Sequence, residues 1–403
     1  MTKCYNMCMN KQKKIKRTRL RKASARRVGI DARFYGPIGK GLGRYTQEIV
    51  DNLIKLDTLN EYIIFLYKDN YDEFECDGER VKKIKVNIRW YTLAEQLIYP
   101  FIIWRARLDL MFFPHFNMPA FTPRKYIITI HDLILTKFPT VRATTLAPWL
   151  YKIKNLAYKI IIKLAVRRAK KIITVSNFTK NDLVDYFKLD KKKIVVTYEG
   201  VANLNKNRDD LFTETQEDQK VLSKYNITKP YLLYVGNAYP HKNLESLVEV
   251  LPEIRKKHSD LSLVMVGKED YFYARLKENI LEKTNIIFTD FVTDEDLEIL
   301  FKNALVYVFP SKYEGFGLPP LEAMAKGCPV VSSNASCLPE ILGEAAEYFD
   351  PENREEMKNS INKVIVDKKL RGDLIEKGYK QAKKYNWWEC ANETYVVIRE
   401  LLD

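Results

Sequence analysis

Two glutamates eight residues apart, Glu314 and Glu322, enclose EGFGLPPLE within the stretch SKYEGFGLPPLEAMAKGCPVV (311–331). An ionised carboxylate only accepts hydrogen bonds, and its two oxygens fit paired sugar hydroxyls. Between the acids, Gly315 and Gly317 allow a backbone to approach a ligand closely. Pro319 and Pro320 suit the first turn of a helix and Gly327 its end. The free N–H groups of such a helix start bind anions such as phosphate. The spacing places Glu322 in the first helical turn, where the dipole favours its charge and its carboxylate can take two hydroxyls of a sugar, as in a ribose; Glu314 can do the same for a second sugar. Taken singly, Glu322 reads equally as a helix-capping acid and Glu314 as a solvated loop charge. As a pair around a double-glycine turn behind a buried strand, they point to a ligand.

Three other segments carry groups of the same kind. In YVGNAYPHKNLESLVEV a strand ends at Gly236, Asn237 follows, and Lys242 is expected just inside a helix, a mobile point charge suited to phosphate. In TIHDLI, His131 and Asp132 end a strand. The imidazole there can donate to a substrate hydroxyl or carbonyl, the plainer alternative being a core histidine paired with Asp132. GPIGKGLGRY, after the first strand, is neither a Walker loop nor a dinucleotide fingerprint, since Thr46 stands where a third glycine would follow Gly41 and Gly43. It signals only close backbone approach. The literal D-x-D of Asp294 to Asp296 reads as the first turn of a helix capped by Thr293, with Asp296 closing a capping box. No His or Cys cluster has metal-ligand spacing, so no metal and no cofactor are expected.

The elements that must position these residues alternate. Short apolar runs at 27–34, 61–67, 109–114, 126–132, 171–176 and 193–200 read as buried parallel strands separated by helices. A polar, aperiodic stretch at 201–228 reads as a linker. A second series follows at 231–237, 261–267, 285–291, 304–311 and 329–333. The fold class expected is α/β, two Rossmann-like doubly wound domains facing a cleft, with ligands at the carboxyl ends of the strands. The division expected is a basic tail over 1–27, an N-terminal domain over 28–205 and a C-terminal domain over 206–386.

The 403 residues are too many for one compact core. Of 67 basic residues, eleven lie in 1–27, which has no acid; without them 56 cations face 52 anions, so the net +15 shrinks to +4. The longest apolar run, LIYPFIIW (97–104), is too short for a bilayer span. Six scattered cysteines suggest reduced thiols and a cytoplasmic setting. Residues 146–171 hold eight Lys or Arg and no acid, with Ile153, Leu156, Ile160 and Leu164 on one helical face. The expectation there is charge-driven, peripheral association with the inner face of the cell membrane while the apolar face packs in the core.

In this order the quoted residues resemble the retaining glycosyltransferases of family four, which have the GT-B fold, over about 28–395. EGFGLPPLE matches that family's E-x7-E motif, and GLGRYT, IHDLI, VSNFTKNDL, VGNAYPHKN, VTDEDL and YNWWECANET fall where the family has comparable stretches. The resemblance implies that a hexose moves with retention, without a metal, from a nucleotide-diphosphate sugar to a glycan or lipid-linked acceptor of a cell-envelope polysaccharide. GDP-mannose is the first donor expected, a UDP-sugar the second. It implies Glu322 on the donor ribose, Glu314 on the transferred sugar, and the backbone of Gly315, Phe316, Gly317 and Leu318 facing sugar and diphosphate. Lys242 would hold the diphosphate, Val292 would lie near the base, His131 near the sugar and its developing charge, and Gly41 against the phosphates. Asn237 stands where many members carry arginine, so His241 or a cation of the N-terminal domain would have to assist Lys242. The last helix, 387–403, would cross back to the first domain. A sugar phosphorylase is the competing enzyme, and a nucleic-acid or anionic-surface binder acting through the tail is the competing non-enzyme.

Overall fold

The structure, a computed structural model, describes residues 25–76, 78–138, 148–201, 214–280 and 285–403. Its first sheet holds β1 (Arg27–Asp31), β2 (Glu61–Leu66), β3 (Val81–Lys85), β4 (Leu110–Phe113), β5 (Tyr126–Ile130), β6 (Lys171–Thr174) and β7 (Ile194–Val196). Its second holds β8 (Tyr231–Val235), β9 (Ser262–Val266), β10 (Ile286–Asp290), β11 (Val306–Phe309), β12 (Val330–Ser333) and β13 (Ala346–Phe349). The orders are β3-β2-β1-β4-β5-β6-β7 and β10-β9-β8-β11-β12-β13, and every pairing is parallel. Strand order reverses between β1 and β4 and again between β8 and β11, and a doubly wound sheet opens a ligand crevice at that point.

Strands buried on both faces read as continuous apolar runs, and β1, β4, β5, β8, β9 and β11 do so. β3 and β13 were not expected. Both are edge strands, and VKKIK and AEYF keep one side toward water, so neither carries a long apolar run.

Three other expectations change. The stretch called a linker contains the helix Gln216–Lys224, opened by a true capping box of Thr215 and Asp218; residues 202–213, and the 205/206 boundary with them, lie outside the described residues. Asp296 closes no such box: its backbone N–H donates to Thr293, but its carboxylate accepts from Lys224 and Tyr225. In the helix Pro148–Arg168 the buried residues include Ile162, Ala165 and Val166, while Leu156 and Ile160 face outward and Leu164 is half-buried; the side chain of Ile153 lies outside those described. Residues 1–24 of the expected tail also lie outside the described residues.

The Trp387–Leu402 helix packs along the Lys40–Leu56 helix. Gly200 admits it: a Cβ there would stand 2.2 Å from the backbone nitrogen of Trp387. The apolar residues Cys390, Val397 and Ile398 thereby join Tyr45, Ile49 and Leu53 in one core.

Candidate active site

β11 ends at Phe309, and the loop after it carries Glu314 into the crevice beside β8. The helix that follows runs Leu318–Ala325, with Gly317 at its N-cap in the left-handed region (φ 95°) and Gly327 just past its end (φ 74°). It begins one residue before the prolines, so Glu322 lies in its second turn, beyond the reach of the dipole argument. Pro319 and Pro320 also lack N–H groups. The helix start therefore offers an anion fewer donors than expected, which puts more weight on side-chain cations.

Two such cations face the two glutamates. Lys242 ends a 3-10 turn (Pro240–Lys242) rather than entering the next helix, which starts at Leu244. Its Nζ lies 2.6 Å from Oε1 of Glu314 and 5.3 Å from the Phe309 ring centre. Both side chains of this pair are nearly buried. Glu322 meets Arg44, whose Nη1 is 2.5 Å from Oε1. Arg44 comes from GLGRYT, in the first turns of the Lys40–Leu56 helix, so this pair joins the two halves of the molecule. Burial lowers the pKa of His241 to about 4, so without a ligand its ring is neutral at neutral pH.

The glycine-rich turn is shaped by its own packing. A Cβ on Gly39 would stand 2.3 Å from the Phe34 carbonyl and one on Gly43 2.0 Å from the Gly36 carbonyl, while Gly41 has open space beside it. Of the three, Gly41 alone leaves room for another molecule.

Both ring nitrogens of His131 have partners within the protein, and neither is Asp132. Its Nδ1 lies 3.0 Å from Oε1 of Glu199, and its Nε2 donates to the Pro114 carbonyl at 2.9 Å. Burial alone would lower its pKa; the Glu199 bond and charge, with the Pro114 carbonyl, outweigh burial and raise it. Tyr45 meets the ring edge-on at 4.5 Å. Asp132 Oδ1 instead accepts the Ile134 N–H at 2.8 Å. Burial is the main cause that raises its pKa, and it feels the charges of both Glu314 and Lys242.

Gly315 closes the seam between the halves. A Cβ there would lie 2.1 Å from the His131 carbonyl, so glycine is needed for that contact between backbones. Ser176 Oγ donates to the Gly315 carbonyl at 2.7 Å. Glu340 accepts the Asn177 and Phe178 N–H groups at 2.7 and 2.9 Å, capping the Asn177–Phe187 helix from the other half. Tyr313 donates to Asp182 at 2.5 Å. VSNFTKNDL is thus a seam segment.

The other expected positions are partly or fully buried. Asn237 is half-buried, and its carbonyl takes the Tyr234 hydroxyl at 2.7 Å. Val292 is buried in the C-terminal core just past β10, while its neighbour Phe291 is exposed. The Phe316 ring is buried and packs against Tyr385 at 5.5 Å, and Leu318 is half-buried. Sequence reading missed Arg44, Glu199 and Glu340 as site and seam residues. Arg44 had one available signal, its place within the glycine-rich turn that opens a helix.

The family model described as Glycosyltransferase Family 4 matches residues 39–202, and that described as Glycosyl transferases group 1 matches 215–381. The chain is similar to O-antigen chain mannosyltransferase B of Escherichia coli, 29% identical over 88% of this chain and 94% of that one. It is also similar to O-antigen chain mannosyltransferase RfbU of Salmonella typhimurium, 26% identical over 82% and 88%. Among solved structures, sucrose-phosphate synthase from Thermosynechococcus elongatus superposes with a TM-score of 0.71 at 19% identity, over 93% of this chain and 99% of that one.

Proposed function

Because this chain belongs to the glycosyltransferases of family four, with the GT-B fold, we propose that it moves mannose from GDP-mannose, with retention and without a metal ion, to a lipid-linked glycan of a cell-envelope polysaccharide at an anionic membrane surface. The similarity to two O-antigen chain mannosyltransferases supports mannose and an O-antigen-like glycan. The observation that carries the reading is the pair of carboxylate–cation contacts in one cleft, Glu314 with Lys242 and Glu322 with Arg44.

Without donor, each acid neutralises one cation, which avoids unpaired charge in a partly buried site. With donor, the hydroxyls of the transferred sugar take Glu314 and those of the ribose take Glu322. Lys242 and Arg44 then turn to the diphosphate. When the bond from the anomeric carbon to the phosphate oxygen breaks, the electron pair leaves on the nucleoside diphosphate. Fixed cations stabilise that charge more in the leaving group than in the bound donor. The acceptor oxygen attacks from the same face and passes its proton to the departing diphosphate oxygen, which has received the electron pair. His131 acts by holding Glu199 and the end of β5, since both ring nitrogens are engaged within the protein.

Calorimetric titration with GDP-mannose, GDP, UDP-glucose and UDP in excess EDTA tests the reading, with the anomeric configuration of the product read by NMR. GDP-mannose is expected to bind and react with EDTA present and to give the retained anomer. Binding of UDP-sugars alone would change the donor to a UDP-hexose. Activity that dies in EDTA and returns with manganese or magnesium would overturn metal independence.

A further inference from the structure

The run LIYPFIIW (97–104), too short to span a bilayer, lies within two helices, Leu93–Leu97 and Tyr99–Arg105, that meet at Ile98. Their inner side is Glu95, Tyr99 and Ile103, all buried, with Glu95 2.7 Å from the buried Arg33. Their outer side is Leu93, Leu97, Phe101 and Trp104, spaced four, four and three residues apart on one face. These four are 80%, 76%, 59% and 57% exposed. The ordinary pattern is reversed, with a carboxylate inside and a stripe of large apolar side chains outside. Single exposed leucines need no explanation, whereas a contiguous stripe marks a contact surface.

The stripe continues onto the neighbouring loop. The Gln96 amide donates to the Met118 carbonyl and accepts the Ala120 N–H, which sets Phe121, 73% exposed, beside the helices. Cations surround it. Arg168 donates to the Ala120 carbonyl at 2.6 Å and sits 5.6 Å from the Phe121 ring centre. Arg124 donates to the Trp104 carbonyl at 3.3 Å, and Arg105 and Arg107 are exposed at the end of the stripe. Across 93–107, 118–125 and 154–171 the one acid is Glu95, which points inward. A second copy would bring the same cations against these, and like charge disfavours that. A surface with negative headgroups above an apolar layer matches both parts of the pattern.

We propose that this face of the N-terminal half docks on an anionic lipid bilayer, with Leu93, Leu97, Phe101, Trp104 and Phe121 entering the boundary between headgroups and acyl chains. The arginines meet lipid phosphates at the rim. The inference rests on the reading of a membrane-held acceptor and gives that reading a contact surface different from the basic helix face singled out in the sequence.

Flotation of the full-length protein with phosphatidylglycerol-containing vesicles, against phosphatidylcholine alone, tests this at salt of about 0.1 M and about 0.5 M. Attraction by exposed charge, including that of the basic N-terminal residues, is screened at the higher salt, while apolar contact persists. The wild type is expected to float with the anionic vesicles at both. The double variant Leu97→Glu/Phe101→Glu is expected to lower the bound fraction roughly tenfold and leave GDP affinity unchanged. Tryptophan fluorescence gives a second readout: a blue shift on vesicle addition that is lost in Trp104→Phe. A double variant that floats like the wild type, or a wild type that stays unbound, would overturn docking. A wild-type dimer in sedimentation that the double variant breaks would put a second copy on this face and also overturn it. GDP-mannose binding and transfer to a soluble acceptor analogue, measured on the same samples, separate this outcome from failure of the donor reading.

Discussion

The cleft holds two ion pairs that look alike and differ in how they are built. Lys242 and Glu314 both belong to the C-terminal half, on loops after the neighbouring strands β8 and β11, and both side chains are nearly buried. Arg44 and Glu322 come from opposite halves, and Arg44 keeps about a third of its side chain in water. The first pair is therefore part of a site that exists before the halves meet. The second exists only when they do. On the proposed reading, a donor site assembled this way is preformed at Glu314 and Lys242 and conditional at Glu322 and Arg44.

The comparison is broken most strongly at the buried pair. Lys242→Met leaves the Glu314 carboxylate enclosed without its cation, and that is expected to cost about 3–5 kcal/mol of stability. Adding Glu314→Gln to Lys242→Met is expected to restore most of that stability without restoring transfer. Denaturant unfolding of the two variants checks this, and a Lys242→Met protein as stable as the wild type would mean the pair is solvated.

At the pair between the halves the expected losses fall on binding. On the proposed reading, Glu322→Ala removes a charged acceptor of two ribose hydroxyls and is expected to cost roughly 2–4 kcal/mol of donor affinity. It also releases Arg44 to the diphosphate, so the loss measured with Arg44→Ala in the background should differ from the loss in wild type by roughly 1 kcal/mol. Calorimetry on the four members of that cycle decides it. Strict additivity would mean that Arg44 and Glu322 act independently once donor is bound.

What sequence could reveal divides along the same line. Glu314, Glu322 and Lys242 were legible because a strand, a loop and a helix start bring them out in short order, and the strand-end glycines mark the place. Arg44 was not, because its partner is 278 residues away and no periodicity links an arginine on one helix to an acid on another domain. Glu340 and Glu199 were missed for the same reason: each is an ordinary acid until tertiary packing puts a backbone N–H or an imidazole against it. Eleven strands were legible as apolar runs, and the two that were not, β3 and β13, lie at sheet edges where one face can be polar. His131 was found by its type and place, but its direction was not. Nothing in TIHDLI says that the ring turns toward Glu199 and Pro114 rather than toward Asp132 or a substrate.

The smallest effect expected concerns that histidine, and its sign follows from the geometry. An imidazole that gives one N–H to a carbonyl and faces a carboxylate with its other nitrogen is held best as the imidazolium, and its pKa in the fold is raised above the ordinary value. In the unfolded chain it returns to about 6.5. The folded state thus binds the proton more tightly, so the stabilisation is complete below about pH 6.5 and is lost as the pH rises through the raised folded value. His115, 6.3 Å away, does not compete for this proton, because burial and the neighbouring charge push its pKa well below the ordinary value. His131→Gln is therefore expected to melt below the wild type by a margin that is widest at mildly acidic pH and narrows on the alkaline side. Glu199→Gln should show the same trend, since it removes the acceptor that favours the charged ring. Thermal unfolding of the three proteins across that range gives the answer. A margin that stays flat, or widens as the pH rises, would mean that the ring is neutral in the fold. One of its nitrogens could then accept a proton, which would return His131 to the list of groups able to act on the substrate.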